Sequence, residues 1–507
     1  MLDLFSPLRN KYMSLAAALL AGLMLPLAYA PFDLYPVIFI AIALLFAVWW
    51  VATPKQAFVS SWFFGLGMFG FGAHWVYVSM YEFGGVPFAL SIALTVLFVC
   101  FLALFPAVLA YGVTKWCLPI CREHRAWAFV IVLPAAWLLG EWVRGWFLTG
   151  FPWLLAGYSQ LDTVLVYWAP VLGVYGVSWL VAICAGAFLF ALTSRSSMRW
   201  RVLAIPIAIF VLGWAGKHIS WSQPLGEPIK VSMIQGNIAQ DVKWLPEMRR
   251  PTIELYLAST REHWDSDLII WPESALPDFY DHVEFFLQAL GEEARENNTD
   301  MLIGILSQEW PSGRYFNSML SLGTEQGFYH KSHLVPFTEY LPLKSVLGPV
   351  VDFMNVPMSD FTKGEADQKT LQVAGHTVGL SICYEDAFGE EMLPALPAAS
   401  FFVNASNDAW FGTSIAPHQH LQIARMRAVE FARPLLRSTN TGVTAVIDHW
   451  GKTVSALPQF KMAVLTETVQ PMTGATLYAR VGNVLVLLLA ALSVICAFVY
   501  LRRSIRP

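Results

Sequence analysis

Cys383 is the only cysteine in the one long stretch of this chain that reads as soluble, and it closes an apolar run, Val378-Gly-Leu-Ser-Ile-Cys-Tyr-Glu385. Upstream stand Glu273, in Trp271-Pro-Glu-Ser274, and Lys331, in His330-Lys-Ser-His-Leu-Val-Pro-Phe337. Acyl transfer through sulfur needs a thiolate, a base that shuttles its proton, and a donor or cation for the oxyanion. These three residue types supply one of each. Cys383 attacks, Glu273 removes its proton and returns it to the leaving group, and Lys331 stabilises the tetrahedral intermediate. Lys331 is also expected to lower the thiol pKa, because a neighbouring cation favours the thiolate. Glu339 and Glu385 lie close in sequence to these groups and are candidates to orient them; Tyr384 joins them as a supporting or substrate-binding candidate.

Each residue alone has a plainer account. A free cysteine is commonly a small buried hydrophobe, a glutamate after Trp-Pro can cap a helix, and a lysine is usually a solvated surface group. Only the combination points to catalysis. Trp244, Trp410 and Phe411 are candidates for an aromatic cover that excludes water or guides an acyl chain, although ordinary packing explains them equally well. Glu141 and Arg144, three residues apart on one helix face near a membrane boundary, fit a structural ion pair better than a catalytic one. Gly65-Leu-Gly-Met-Phe-Gly70 matches a dinucleotide-binding pattern but lies in an apolar span with no strand before it, so close helix packing accounts for it. His418 and His420 lack a third ligand, which leaves no metal site; a helix start explains them. No cofactor is implied.

The elements that must position these groups follow from composition. With 507 residues, 56% of them hydrophobic, only 13% charged, and 21 Trp and 35 Phe, the chain reads as a polytopic membrane protein. The net charge of -4 is small and the basic residues cluster in short loops, so nothing argues for a nucleic-acid partner. Eight apolar runs are long enough to span a bilayer, at roughly 13–30, 35–52, 57–80, 88–113, 127–148, 164–193, 201–220 and 479–501. The first is read as an uncleaved helix rather than a signal peptide, since Pro31 follows the cleavage-like Ala28-Tyr-Ala30. Lys and Arg concentrate in alternate short loops, from Arg9 and Lys11 through Lys55, Arg122 and Arg195 to Arg502 and Arg506. Both termini are therefore expected in the cytoplasm and the soluble region outside it. The expected domains are 1–223 with seven spans, 224–474 as the catalytic domain, and 475–507 with the eighth span and a basic tail.

Within the soluble region, strands are expected at 229–235, 268–271, 301–306, 316–322, 377–383, 401–404 and 443–448, with covering helices at 246–264, 283–298 and 418–433. Strands with helices on the outer faces bring their end loops to one crevice, where Glu273, Lys331 and Cys383 must meet.

The order Glu, Lys, Cys, each at or just after a strand end, resembles the nitrilase or carbon-nitrogen hydrolase family, whose αββα sandwich carries such a triad. Tyr329-His-Lys-Ser-His-Leu-Val-Pro-Phe-Thr-Glu-Tyr-Leu-Pro342, Ser381-Ile-Cys-Tyr-Glu385, Asn404-Ala-Ser-Asn-Asp-Ala-Trp-Phe-Gly412, Glu141-Trp-Val-Arg-Gly-Trp146 and Thr149-Gly-Phe-Pro-Trp153 are similar to its membrane-bound branch, the apolipoprotein N-acyltransferases. Thr338 departs from the Gly expected in a Pro-Phe-Gly-Glu pattern. The resemblance implies an eight-span helical membrane domain plus an extracytoplasmic nitrilase-like α/β domain in the bacterial inner membrane. It also implies Cys383 as a thioester-forming nucleophile, a phospholipid acyl donor and a diacylglyceryl-apolipoprotein acceptor, and it favours Trp244 over the other aromatics. The alternatives are a membrane-tethered amidase using the same triad on water, and a transporter with a substrate-binding outer domain; few ionisable groups in the spans speak against the latter.

Overall fold

Among the described residues of the computed structural model, five helical runs are long and apolar enough to cross a membrane: Lys11–Ala28, Phe88–Cys121, Arg125–Thr149, Val164–Thr193 and Met198–Gly216. Val37–Val51 and Val484–Tyr500 are apolar but shorter. The described residues are 5–342, 344–345, 360–368 and 370–505; Arg506, counted among the basic tail residues, lies outside them. The expected run 57–80 is interrupted. Its helix, Pro54–Gly72, starts at a capping box in which Gln56 N–H donates to Thr53 Oγ1 (3.4 Å) and Thr53 N–H to Gln56 Oε1 (3.0 Å). It stops at Gly72, and Val78–Pro87 group with residues 221–480. Small residues set the helix packing, as expected of Gly65. A Cβ there would strike the Ala103 backbone, and one at Gly22 would strike the Phe64 carbonyl. One unit thus comprises residues 1–77, 88–220 and 481–507, and the other 78–87 and 221–480.

In the second unit, β1 (Ser222–Pro224) and β14 (Met472–Gly474) form a short antiparallel pair. Two six-stranded sheets make the rest. The first contains β2 (Ile229–Gln235), β3 (Leu268–Ile270), β4 (Asp300–Glu309), β5 (Arg314–Leu322), β6 (Gly327–His330) and β13 (Ala463–Val469), in the order β13-β2-β3-β4-β5-β6. The second contains β7 (Leu371–Val373), β8 (His376–Ile382), β9 (Phe401–Ser406), β10 (Leu435–Thr439), β11 (Ala445–Ile447) and β12 (Thr453–Ala456), in the order β12-β11-β10-β9-β8-β7. Both are parallel at the centre, β2-β3-β4 and β8-β9-β10, and antiparallel at the edges.

Alternation along the strands decides the layers. Val231 and Met233 of β2, Val378, Leu380 and Ile382 of β8, and Phe401, Val403 and Ala405 of β9 share one buried cluster between the sheets. The opposite face of the first sheet packs Ile269, Ile303 and Leu320 against Tyr256, Val283 and Leu287 of the helices Pro246–Arg261 and Tyr280–Glu296. The opposite face of the second packs Phe402 and Leu435 against Ala424, Ala428 and Phe431 of Ala416–Phe431. The result is an αββα sandwich.

The seven expected strands and three helices are present, β2 with its expected bounds and the rest with shifted ends; among the described residues β6, β7, β10, β12 and β13 of the two large sheets, and the β1 and β14 pair, escaped the reading. β10 is the important one: it begins right after Pro434 and carries Arg437, which breaks the apolar pattern although the strand is wholly buried.

Candidate active site

Glu273 follows β3 on a tight turn. Trp271 N–H donates to Leu302 O at 2.8 Å, Ser274 takes a left-handed φ of 47°, and the turn lies flat on β4 at Gly304. A Cβ at Gly304 would overlap Pro272 O and Ser274 N, so only glycine lets the carboxylate come this close. Lys331 follows β6, its N–H bonded to Asn317 O at 2.8 Å. Cys383 follows β8, itself left-handed at φ 54°, at the start of the turn Cys383–Ala387. Strained left-handed residues of this kind gather at functional sites.

The lysine sits between two carboxylates. Lys331 Nζ donates to Glu339 Oε1 at 2.9 Å and lies 3.7 Å from Glu273 Oε1, and all three side chains are buried. Burial alone would push the ammonium down, but Glu339 and then Glu273 outweigh it and hold Lys331 above its ordinary range. It is a permanent cation. Asn317 bridges the same carboxylates, its Nδ2 donating to Glu273 Oε1 at 2.7 Å and to Glu339 Oε1 at 3.2 Å. Glu339 Oε2 accepts the Val335 N–H at 2.7 Å, which folds the loop back on itself.

The expected lowering of the thiol needs correction. Burial pushes the Cys383 thiol well above its ordinary value and the Glu273 carboxylate adds to that, more than the Lys331 ammonium offsets. The group rests as a thiol and needs a base at the moment of attack.

Glu385 ties the nucleophile's turn to the lysine's loop. Its Oε1 accepts from the N–H groups of Ser332 (2.6 Å) and His333 (3.0 Å) and from Ser332 Oγ (2.8 Å). Its Oε2 accepts from Ile382 N–H (2.6 Å) and Tyr329 Oη (3.0 Å). Burial raises its pKa, against these donors. Tyr384 packs edge-on against Phe388 and His333. Trp244 is 47% exposed. Its neighbour Lys243 is buried, donates to Glu273 O at 3.3 Å, and is pushed down to about 8 by burial, against the pull of Glu273. Trp410 O accepts from Ser79 Oγ at 2.8 Å and its ring meets Phe83 edge-on, so Trp410 is engaged where Trp244 is open.

Glu141 and Arg144 belong to the other unit. Glu141 Oε1 accepts the Ala156 N–H at 2.8 Å, while Arg144 Nη1 donates to Phe151 O (2.6 Å) and Trp153 O (2.5 Å). Both are buried and pin the irregular segment 150–160 to the helix Leu133–Trp146.

Asn317, Lys243 and His420 were missed. The signal for Asn317 was an amide inside the expected strand Phe316–Leu322; His420, discounted for want of metal partners, is buried among Asp386, Asp408 and Arg437. Among the described residues no cluster could hold a metal ion.

Sandwich and site together define a class, and comparison identifies it: residues 230–478 match the family model described as Carbon-nitrogen hydrolase, and residues 21–187 the Apolipoprotein N-acyltransferase N-terminal domain. A protein named apolipoprotein N-acyltransferase from Methylococcus capsulatus is 48% identical, covering 92% of this chain and 92% of that protein. One of the same name from Nitrosomonas europaea is 44% identical over 95% of this chain and 96% of its own. Another, from Coxiella burnetii, is 40% identical over 94% and 99%. The chain belongs to the apolipoprotein N-acyltransferase family and is an acyltransferase.

Proposed function

We propose that the chain moves a fatty acyl chain from a phospholipid to the α-amine of the N-terminal S-diacylglyceryl cysteine of an apolipoprotein, in two steps through Cys383. The Sγ attacks the phospholipid ester carbonyl as Glu273 takes the thiol proton. Lys331, a cation held between Glu273 and Glu339, stabilises the oxyanion. The carbon–oxygen bond to glycerol then breaks, the leaving oxygen regains the proton from Glu273, and a lysophospholipid departs. In the second step the amine attacks the thioester, Glu273 accepts the amine proton, the carbon–sulfur bond breaks and the proton returns to sulfur. The single observation that carries this reading is the buried Lys331 flanked by two carboxylates beside a cysteine in strained backbone. Trp244 is assigned as cover over the acyl-enzyme, on the strength of its exposure.

Eight spans, cytoplasmic termini and a periplasmic catalytic domain at 224–474 between membrane segments 1–223 and 475–507 complete the proposal. The Lys and Arg bias among loops supports it. Placed so, in the bacterial inner membrane, the catalytic domain meets two lipid-anchored substrates at the membrane surface. Incubation with a phospholipid followed by intact-mass analysis tests the first step. One added acyl chain on the wild type, absent from Cys383→Ala, is expected; acylation of Cys383→Ala sinks the proposal. The amidase reading predicts free fatty acid and no acylated peptide when a diacylglyceryl peptide is supplied.

A further inference from the structure

Behind the nucleophile lies a buried cluster that the chemistry above does not use. The Cys383 carbonyl accepts from Asn404 Nδ2 at 3.1 Å and faces His420 Nε2 at 3.2 Å. The same His420 Nε2 is 2.9 Å from Asp386 Oδ1, and Nδ1 is 3.0 Å from Asp408 Oδ1. Arg437 donates to Asp386 Oδ2 (3.2 Å), to Asn404 Oδ1 (2.7 Å) and to Asp408 Oδ2 (2.9 Å). All five side chains are almost wholly buried.

Three elements pack on the helix that carries His420, and their charges face it. The turn Cys383–Ala387 offers the Cys383 carbonyl and Asp386, while its Glu385 is turned to Ser332 and Tyr329. The turn Asp408–Phe411 offers Asp408, and β10 offers Arg437, whose Nη2 is 2.8 Å from Nδ1. With a neutral imidazole the cluster holds two carboxylates against one guanidinium. A buried excess of negative charge would then sit against the Cys383 carbonyl, and Asp408 already opposes ionisation of the Cys383 thiol. With an imidazolium the charges balance: Nε2–H donates to Asp386 Oδ1 and Nδ1–H to Asp408 Oδ1, while the nearby Arg437 Nη2 directs its hydrogens to the Asp408 carboxylate (3.2 and 2.9 Å) instead of to Nδ1.

We infer that His420 is a positioning residue for acylation: as an imidazolium it neutralises the Asp386, Asp408 and Arg437 cluster and holds the Cys383 carbonyl, fixing the left-handed nucleophile. The inference rests on the thioester reading above. Burial and Arg437 push His420 down, yet Asp386 and Asp408 together hold it up at about 9. Acylation is therefore predicted to fall as pH rises through that value.

The test uses the full chain in mixed micelles with dioleoyl phosphatidylethanolamine and reads the rate of acyl-enzyme formation by intact mass from about pH 7 to about pH 10. His420→Gln keeps an amide donor but no charge. It should lower the rate on the order of 10- to 100-fold, with half-saturating phospholipid unchanged, and abolish the alkaline fall. Adding Asp386→Asn restores charge balance and should recover most of that rate, which a purely structural role would not. Asp386→Asn alone should also lose the alkaline fall. A wild-type rate for His420→Gln, or a double variant no faster than His420→Gln, overturns the inference. Should His420→Gln not fold, an alkaline fall that persists in Asp386→Asn, or none in the wild type, overturns it equally. A wild type that forms no acyl-enzyme removes the thioester reading and this inference together.

Discussion

Three polar residues converge on one another from three different strand ends, and the least conspicuous of the neighbours, Asn317, decides how they sit. Its amide donates to both Glu273 and Glu339, so the two carboxylates share one neutral donor as well as one cation. Asn317→Ala removes that donor and leaves two buried carboxylates under-satisfied. Acyl-enzyme formation should drop on the order of 10- to 100-fold at pH 7 while the fold persists, measured by intact mass alongside thermal unfolding. A variant with wild-type rate would make Asn317 mere packing. For Glu273→Gln the expectation is stronger: the thiol is held high by burial, so losing the base should abolish thioester formation altogether. Glu273 and Cys383 were legible in the sequence because each follows an expected apolar strand, and Lys331 through the His330–Phe337 motif although its own strand, β6, escaped the reading. Asn317 was not, since an amide in a strand has no chemistry to advertise until its partners arrive from elsewhere.

Single elements are held in place by two devices. The first is Gly304, which lets β4 pass under the Glu273 turn. Gly304→Ala must displace that turn; overpacking of this kind costs about 1–3 kcal/mol, and acylation should fall with stability. An alanine variant with unchanged unfolding and rate would refute the close approach. The second is the cluster joining the turns Cys383–Ala387 and Asp408–Phe411, β9, β10 and the helix Ala416–Phe431, whose titration has a defined sign. His420, raised in the folded chain to about 9 from about 6.5 unfolded, stabilises fully below pH 6.5, and that contribution is lost as pH rises through 9. Asp408, held at about 2 against burial chiefly by Arg437 and His420, stabilises above its unfolded value of about 3.9, and its contribution is lost as pH falls through 2. Thermal midpoints should decline between about pH 6.5 and about pH 9, and His420→Gln should flatten that slope.

For the whole molecule the open prediction is orientation. Among the described residues, Arg195 and Lys461 are both exposed. With the exposed Cys496 replaced by Ala, Lys461→Cys should react with a membrane-impermeant maleimide in intact spheroplasts, whereas Arg195→Cys should react only after permeabilisation. The reverse pattern would invert the proposed topology.

By itself the sequence pointed to apolar helices with one long α/β insertion, and to a thiol, a carboxylate and an amine that the fold brings near one another. Those properties are local: apolar run length, charge bias between runs, and residue types at strand ends. Only the tertiary structure decided that the two sheets face each other through Val378, Leu380, Val231 and Met233. It decided too that the thiol is raised rather than lowered, and that His420, in the helix start the sequence suggested, lies behind the nucleophile. Burial and charge balance are sums over neighbours from distant parts of the chain, and a linear pattern carries no record of that sum until the fold brings the neighbours together.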